Sequence, residues 1–377
     1  MRRRDDSTEE AAEKDACVVN GVLTRSWSVA KAAARGCFGR ARVAIGVVLL
    51  TSIGIFLALE IYAIAATGAV RNTPLPTTFG NFERVRELLS DDGGQDAFSF
   101  AVAGDTQGCG TFERIVDELR DEPLSFMVLL GDCVRDSTLG HHAYFRAELA
   151  KELATPYPMF YVVGNHEVHP EGFSLSQFES AYGPTNFFFK YRNCLFIFLR
   201  TLQTYPTDET VEFLERVLST HVEGSEKVFA FMHIPALESA TFHARDYEGK
   251  EKLVSLFERH GVDYAFAGDY HGYARGEVNG TVYLVSGGGG SHLKESKFGA
   301  FHHAMVLRVE PNAVHERILF VDRNENLEDR LERLALGDVY PWLSASRIAA
   351  MALNVAVVAL AAWAIRHLLK IRRPSVS

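Results

Sequence analysis

Five short polar motifs in the 377-residue chain each follow an apolar run and offer side chains that bind metal ions. In chain order they are Gly104-Asp105-Thr106-Gln107, Gly131-Asp132-Cys133-Val134-Arg135-Asp136, Gly164-Asn165-His166-Glu167, the single His233 and Gly268-Asp269-Tyr270-His271. Their carboxylate, carboxamide and imidazole groups suit Mn, Fe, Zn or Mg rather than a metal that prefers thiolates. One Gly-Asp pair is usually a turn, and one histidine is usually a satisfied core or surface residue, but the ordered series predicts a shared metal site.

The elements that must position these motifs are predicted from the runs that precede them. Residues 98–103, 126–130, 159–163, 228–232 and 264–267 are continuous apolar runs, which are typical of strands buried on both faces. Amphipathic stretches between them indicate helices, and strands predominate after residue 272. In open α/β sheets, sites form beyond the carboxyl ends of the strands. The pattern therefore predicts one layered α/β domain with two sheets and a cleft where the motifs converge.

The series of motifs resembles that of the calcineurin-like metallophosphoesterases, whose pattern is DxH, GDxxD, GNH followed by D or E, an isolated H, and GHxH. Residues 131–136 match GDxxD in full, residues 164–167 match GNHE in full, and the resemblance covers roughly residues 97–310. It implies a four-layer α/β/β/α sandwich with two mixed sheets. It also implies a metal-dependent phosphoric ester hydrolase that cleaves mono- or diesters by attack of a metal-bound hydroxide, without a phospho-enzyme.

The resemblance assigns roles to individual residues. The positions of the family's metal ligands that match in full are Asp105, Asp132, Asn165, His233 and His271. Asp132 would bridge two ions. Asp105 and His271 would hold one ion, and Asn165 and His233 the other. His166 would bind no metal and would protonate the departing oxygen, oriented by Asp136. These two residues are therefore the expected catalytic pair.

Two positions depart from the family pattern. Gln107 stands where the family has the histidine of DxH, and Asp269 stands where it has the first histidine of GHxH. Both side chains keep an oxygen that can bind a cation, so both stay in the expected ligand set. The implied cofactor is a pair of divalent or trivalent ions, with Mn or Fe favoured and Zn possible. The departures also leave open an alternative, a catalytically silent metallophosphoesterase-like domain that serves binding or assembly on a membrane.

Several residues beside the motifs have two interpretations. Arg135, Tyr270 and Arg275 follow the motifs and are candidates for contact with a phosphate or headgroup, but the arginines equally fit pairing with surface carboxylates. Cys133 lies among metal ligands without a dedicated base, so it is expected to be structural rather than a nucleophile. The pairs 141–142 and 302–303, both His-His, are assigned to helix or strand surfaces.

Two apolar runs flank the domain and predict a membrane protein. Residues 43–70 and 347–366 are long enough to span a bilayer, and basic clusters lie before the first and after the second. Basic flanks mark the cytoplasmic side, so residues 1–42, a largely disordered tail, and 367–377 are expected in the cytoplasm. Residues 72–346 then form an extracytoplasmic domain, which is periplasmic, luminal or extracellular. A cleaved signal peptide is a competing interpretation of the first run. For each of the two runs, a buried core helix of a soluble protein is a further alternative.

The net charge limits what the domain is expected to bind, and the cysteine content limits its disulfides. The chain carries a net charge of −9, but residues 72–346 contain 24 Lys and Arg against 41 Asp and Glu, a net charge of −17. Such a domain is not expected to bind nucleic acid. Its expected partners are a phosphate-ester substrate and the lipid bilayer, and the anchors favour a lipid- or glycolipid-linked phosphate; the oligomeric state stays open. Three cysteines in this domain allow at most one disulfide within it.

Overall fold

The computed structural model describes residues 40–69, 73–89, 97–108, 110–237, 245–324 and 327–372. The predicted tail up to residue 39, as well as Cys109, lies outside these ranges. The chain divides into two compact units. Tyr62–Trp342 forms one unit, which contains every motif, and the segments Met1–Ile61 and Leu343–Ser377 form the other.

Helices and strands alternate through most of the described chain. The helices are α1 Arg40–Ala69, α2 Glu83–Arg86, α3 Gly110–Leu119, α4 Leu139–Lys151, α5 Leu175–Tyr182, α6 Asp208–His221, α7 Lys250–His260, α8 Leu327–Arg333, α9 Tyr340–Ala345 and α10 Arg347–Arg372, with a π-helix at Leu334–Val339 between α8 and α9. The strands are β1 Phe98–Ala103, β2 Phe126–Leu129, β3 Met159–Tyr161, β4 Phe187–Tyr191, β5 Cys194–Phe198, β6 Lys227–Phe231, β7 Tyr264–Ala267, β8 Tyr273–Val278, β9 Thr281–Ser286, β10 His302–Glu310 and β11 Ala313–Val321.

The strands form two mixed sheets. The first has the order β11-β10-β1-β2-β3, in which β1, β2 and β3 are parallel and β10 runs antiparallel to β1. The second has the order β4-β5-β6-β7-β9-β8, in which the four inner strands are parallel and both edge strands are antiparallel. Parallel neighbours bring the carboxyl ends of β1, β2 and β3 to one edge, and those of β6 and β7 to another.

Side-chain alternation along the strands separates the layers. In β1, Phe100 and Val102 point into an aromatic core between the two sheets, where Phe100 stacks on Phe126 at 5.1 Å and meets Phe196 edge-on at 5.7 Å. Ala101 and its alternate neighbours point the other way, into a core that they share with α3, α4 and α5. The outer face of the second sheet packs against α6 and α7 in the same way. The predicted four-layer α/β/β/α sandwich is confirmed.

Helices α1 and α10 are both long and apolar enough to cross a membrane. Only 6% and 11% of their most apolar windows are buried, which disfavours the alternative of soluble core helices. The two helices pack on each other in their own unit, because a Cβ added at Gly46 would lie 2.8 Å from Leu368 Cδ2. The helices extend the predicted spans by a few residues, to Arg40 at one end and Arg372 at the other.

The structure differs from the sequence-based expectation at a few places in the domain. The histidine pairs 141–142 and 302–303, expected on surfaces, are buried, so that assignment is wrong. His142 reaches the interior because its Nε2 lies 2.8 Å from the Glu167 backbone oxygen and its ring stacks on Phe173 at 3.8 Å. Strand β8 begins at Tyr273, and its hairpin with β9 turns at Asn279, which has a positive φ of 51°.

Candidate metal centre

The predicted ligands stand on backbone that ordinary residues avoid. Asp105, Asp132 and Asp269 each follow a Gly at the carboxyl end of a strand, and their φ angles are 57°, 53° and 61°. Gln107 has a φ of 48°. Left-handed backbone is uncommon outside glycine and tends to persist at functional sites, where the surrounding structure holds it. The strand ends therefore turn sharply and aim these side chains across the sheet edges.

Asp105, Asp132 and His271 form the first group of the centre. One ligand atom from each lies within 4.8 Å of the others, and the Nε2 of His271 is 3.3 Å from Asp105 Oδ1. Both aspartates are buried, yet among the described residues neither oxygen of Asp105 nor Oδ2 of Asp132 has a hydrogen-bond partner. Buried carboxylate oxygens without partners are costly, so this group is suited to bind a cation.

His233 and Asn165 form the second group, and Asp132 joins it to the first. The Nε2 of His233 lies 3.1 Å from Asn165 Oδ1, 3.2 Å from Asp132 Oδ1 and 3.8 Å from Asp269 Oδ1. Asp132 is thus the one carboxylate that faces both groups in the described chain. Its Oδ1 also accepts a hydrogen bond from the backbone N–H of His166 at 2.9 Å. The structure brings together the residues that the resemblance assigns to two adjacent ions.

Backbone carbonyls fix the orientation of three histidines. The Nδ1 of His233 lies 2.7 Å from the Leu130 oxygen, that of His271 is 3.0 Å from the His292 oxygen, and that of His166 is 2.7 Å from the Arg135 oxygen. Because a carbonyl only accepts hydrogen bonds, each Nδ1 carries a proton. In the neutral rings Nε2 then keeps the free lone pair, as in histidine ligands held by a partner behind the metal.

The buried carboxylates of the centre favour a positive charge beside them. Burial raises the pKa of Asp105. Burial alone would also raise the pKa of Asp132, but His233 and His166 hold it at about 2. Burial would lower the pKa of His233, yet the carboxylates of Asp132, Asp105 and Asp269 outweigh it and raise that pKa well above its usual value. A proton on His233 therefore substitutes for the cation that these carboxylates favour.

Glu167 holds the centre together, a role that the motif alone does not reveal. It is fully buried, and its Oε2 accepts from the backbone N–H groups of Asp132 at 2.8 Å and Gly164 at 2.6 Å. Its Oε1 accepts from those of Cys133 at 2.7 Å and Val134 at 3.1 Å. One side chain thereby joins the loop after β2 to the loop after β3.

Two glycines allow the backbones of neighbouring loops to approach. Gly131 has a φ of 91°, and a Cβ there would lie 2.7 Å from His233 Nδ1 and 2.8 Å from the Gly164 nitrogen. A Cβ at Gly287, the first of four consecutive glycines after β9, would lie 2.6 Å from Asp105 Oδ2. Both positions have no room for a side chain because ligands occupy the space.

Other predicted site residues lie beside the two groups and not within them. Asp136 is exposed and accepts from the backbone N–H of Ser137, while the Arg135 carbonyl holds His166. The partner of His166 Nδ1 is thus backbone, and not the Asp136 side chain. Asp269 forms an ion pair with Arg245, in which Nε and Oδ1 are 2.8 Å apart.

The residues considered for substrate contact have separate locations. Arg275 makes a two-point ion pair with Glu316, at 2.8 and 3.0 Å, which matches the alternative of a surface carboxylate partner. The Tyr270 hydroxyl donates to the Glu295 backbone oxygen at 2.6 Å. Arg135 and Gln107 line a cavity next to the two groups.

Two further features of the domain bear on its chemistry. Cys133 and Cys194 are buried free thiols, and burial raises the pKa of Cys133 well above its usual value, so this thiol is unsuited to nucleophilic attack. A separate acidic cluster consists of Glu113, Glu148 and Asp329, whose nearest oxygens lie within 4.8 Å of one another. No sequence motif indicated this cluster.

The fold and the donor set define a scaffold for a pair of metal ions, and the comparisons with known proteins agree with it. Residues 98–273 match the family model of the calcineurin-like phosphoesterases. The resemblance seen in the motifs is therefore confirmed over residues 98–273, which are just under half of the chain.

Three known proteins illustrate the similarity. A serine/threonine-protein phosphatase CPPED1 of Danio rerio is 27% identical over 228 residues, which are 54% of this chain and 70% of the relative. A nucleotide pyrophosphatase/phosphodiesterase of Hordeum vulgare is 31% identical over 107 residues, but these are only 22% of this chain and 29% of that relative. Among solved structures, the purple acid phosphatase PPD1 of Lupinus luteus has a TM-score of 0.47 at 18% identity, covering 63% of this chain and 56% of that one.

Proposed function

We propose that this protein is a phosphoesterase that uses two metal ions and hydrolyses phosphate mono- or diesters. The observation that carries the proposal is the pair of buried aspartates Asp105 and Asp132. In the described chain both oxygens of Asp105 and Oδ2 of Asp132 lack hydrogen-bond partners, while Asp105 Oδ1 faces His271 Nε2 and Asp132 Oδ1 faces His233 Nε2. The match of residues 98–273 to the calcineurin-like phosphoesterase model and a relative named as a phosphatase support the same reaction class.

The residues present fit such a pair of ions. Asp105 and His271 would hold one ion, Asn165 and His233 the other, and Asp132 both. When bound, such ions neutralise phosphate charge and lower the pKa of a bound water. Oxygen and imidazole nitrogen donors suit Mn, Fe or Zn. Asp269 lies 3.8 Å from His233 and would join the second ion on leaving Arg245.

His166 is the proposed proton donor to the departing oxygen. Its side chain is 34% exposed, so it reaches the substrate side of the centre, and its Nδ1 is held by the Arg135 carbonyl. When the ring is protonated, Nε2 carries the proton to be donated; it lies 3.7 Å from Asp132 Oδ2, beside the place where the phosphate would lie. A positioned acid of this kind typically contributes about 10²- to 10⁴-fold in rate.

The proposed location is a membrane, with the phosphoesterase domain on the extracytoplasmic side. The apolar lengths of α1 and α10 support membrane spans, and the basic residues outside them support cytoplasmic ends. Anchors at both ends of the domain would tether it to the bilayer. This arrangement favours a lipid- or glycolipid-linked phosphate over a freely diffusing one.

The proposal is tested on the full chain in detergent, loaded with Mn²⁺, with p-nitrophenyl phosphate and bis-p-nitrophenyl phosphate as substrates. Asp132→Asn should abolish turnover and reduce the bound metal, measured by elemental analysis. His166→Ala should lose at least about 100-fold on an alkyl phosphate and less on p-nitrophenyl phosphate, whose leaving group needs no proton. His169→Ala, an exposed histidine outside the centre, is the matched control.

Two outcomes would overturn the proposal. Wild-type protein that binds metal but hydrolyses no ester with any divalent ion would support the silent binding or assembly domain instead. Protein that binds no metal at all would exclude the metal-dependent phosphoesterase.

A further inference from the structure

A cavity of about 310 Å³ adjoins the metal centre and is unusually basic. Four arginines line it: Arg135, Arg323, Arg330 and Arg333. The one carboxylate in its described wall is Asp329. This concentration of guanidinium groups stands out in a domain whose net charge is −17.

Hydrogen bonds to backbone oxygens connect the wall of the cavity directly to the metal centre. The Arg135 oxygen accepts from His166, and the oxygen of His292, another wall residue, accepts from His271. The backbone N–H of Ser291, also in the wall, donates to the backbone oxygen of Asp105 at 2.9 Å. The wall of the cavity is therefore in direct hydrogen-bond contact with Asp105 and His271 of the first group and with the proposed proton donor.

Most of the basic wall lies outside the region that matches the family model. Arg323 follows β11, and Arg330 and Arg333 belong to α8, so all three lie beyond residue 273, where the match to the family model ends. Arg333 is positioned by a hydrogen bond from its Nη1 to the Gln107 backbone oxygen at 3.4 Å. The segment after the last strand thus returns to the centre and brings its charges to the cavity.

We propose that this cavity binds a second anionic group of the substrate, so that the preferred substrate class is a diphosphate ester or a phosphate ester with a neighbouring phosphate. Guanidinium groups match phosphate oxygens with paired hydrogen bonds, and each has five N–H donors, enough to bind a phosphate as well as a protein neighbour. The volume is at the small end of ligand sites, which suits one phosphate and a few further atoms. This inference rests on the proposed phosphoesterase function and narrows its substrate.

The first test compares substrates on the full chain in detergent. ADP is the soluble diphosphate ester, farnesyl diphosphate in mixed micelles is the lipid-linked one, and p-nitrophenyl phosphate has a single phosphate. We expect wild-type kcat/KM to be higher for at least one diphosphate ester than for p-nitrophenyl phosphate. The diphosphate ester with the higher kcat/KM shows whether the preferred substrate is soluble or lipid-linked. The double variant Arg323→Gln/Arg330→Gln should lower the kcat/KM ratio of diphosphate to monophosphate substrate by at least roughly 10-fold. Arg308→Gln, an exposed arginine paired with Glu310 on β10, should keep the wild-type ratio.

The second test needs no turnover. Inorganic diphosphate is titrated by calorimetry into the metal-free full chain in EDTA, and the double variant should bind it at least roughly 10-fold more weakly than wild type and Arg308→Gln. An active enzyme whose substrate ratio and diphosphate affinity are both unchanged in the double variant would overturn the inference while leaving the proposed function intact. If no ester is hydrolysed, the proposed function fails, and loss or retention of diphosphate binding still decides whether the cavity is an anion site. A thermal melt confirms that the variants are folded.

Discussion

Replacing Glu167 by Gln should destabilise the domain strongly, although it changes only one atom of the side chain. Each carboxylate oxygen of Glu167 accepts two backbone N–H groups, one oxygen from Asp132 and Gly164 and the other from Cys133 and Val134. An amide has only one accepting oxygen. Whichever way the new amide turns, its NH₂ group faces two buried N–H donors, and those two donors lose their acceptor.

The magnitude follows from these contacts. Leaving a buried donor unsatisfied costs about 1–3 kcal/mol, so two of them cost about 2–6 kcal/mol of the free energy of unfolding. Large domains lose roughly 2 °C of Tm for each kcal/mol. We therefore expect Glu167→Gln to melt about 4–12 °C below wild type. Affinity for Mn²⁺ should also fall, because the displaced loops carry Asp132 and Asn165.

The assay is a thermal melt of the full chain in detergent with EDTA present, followed by a Mn²⁺ titration. The matched control is Glu179→Gln. Glu179 accepts one hydrogen bond, from Thr185 Oγ1 at 2.8 Å, and an amide oxygen replaces that acceptor, so the melt should stay close to wild type. A Glu167→Gln protein that melts within about 1 °C of wild type would refute the view that this carboxylate holds the two loops together.

Two further predictions concern other parts of the chain. Burial, together with Glu152 and Asp329, raises the pKa of Glu148 to about 7, so the folded state holds a proton that the unfolded chain releases near pH 4.5. The stability from this proton is present below about pH 4.5 and is lost as pH rises through 7. The Tm of Glu148→Gln minus that of wild type should therefore increase from pH 5 to pH 8. A Tm difference that stays constant across that range would contradict the prediction. For the topology, a reporter fused after Ser377 should report the cytoplasm and one inserted at Asp91 the opposite side, and a cytoplasmic signal at Asp91 would invert the proposed orientation.

The sandwich could be predicted from the sequence because two signals indicate its strands, an apolar run and the turn residues at its end. The five runs predicted as inner strands are largely apolar, and four of them stop at a Gly-Asp or Gly-Asn pair that forces the chain to turn. The observed β1 therefore covers the predicted residues 98–103, and β7 the predicted 264–267. The same pairs indicated the candidate ligands, since the residue after the turn has to point across the sheet edge.

The remaining features depend on contacts between residues far apart in the chain. Nothing in the motif distinguishes Glu167, which binds four backbone N–H groups, from a carboxylate that binds metal. His142 looks like a surface residue in its helix until its contact with the Glu167 backbone is known. The arginines after β11 follow the last motif by about fifty residues, so only the folded chain reveals that they line a cavity beside the centre.

The position of β10 has a consequence for how the domain is made. β10 pairs along one side of β1, with Val309 opposite Phe98. The first strand of the domain therefore cannot complete its pairing until the strand before the last has been synthesised. Until then one edge of β1 carries unpaired backbone groups, which is a known route to aggregation in slowly assembled sheets. A fragment that stops at residue 273 would keep every predicted ligand and still leave this edge open. Soluble expression should therefore depend on carrying the chain through Val321, where β11 completes the sheet.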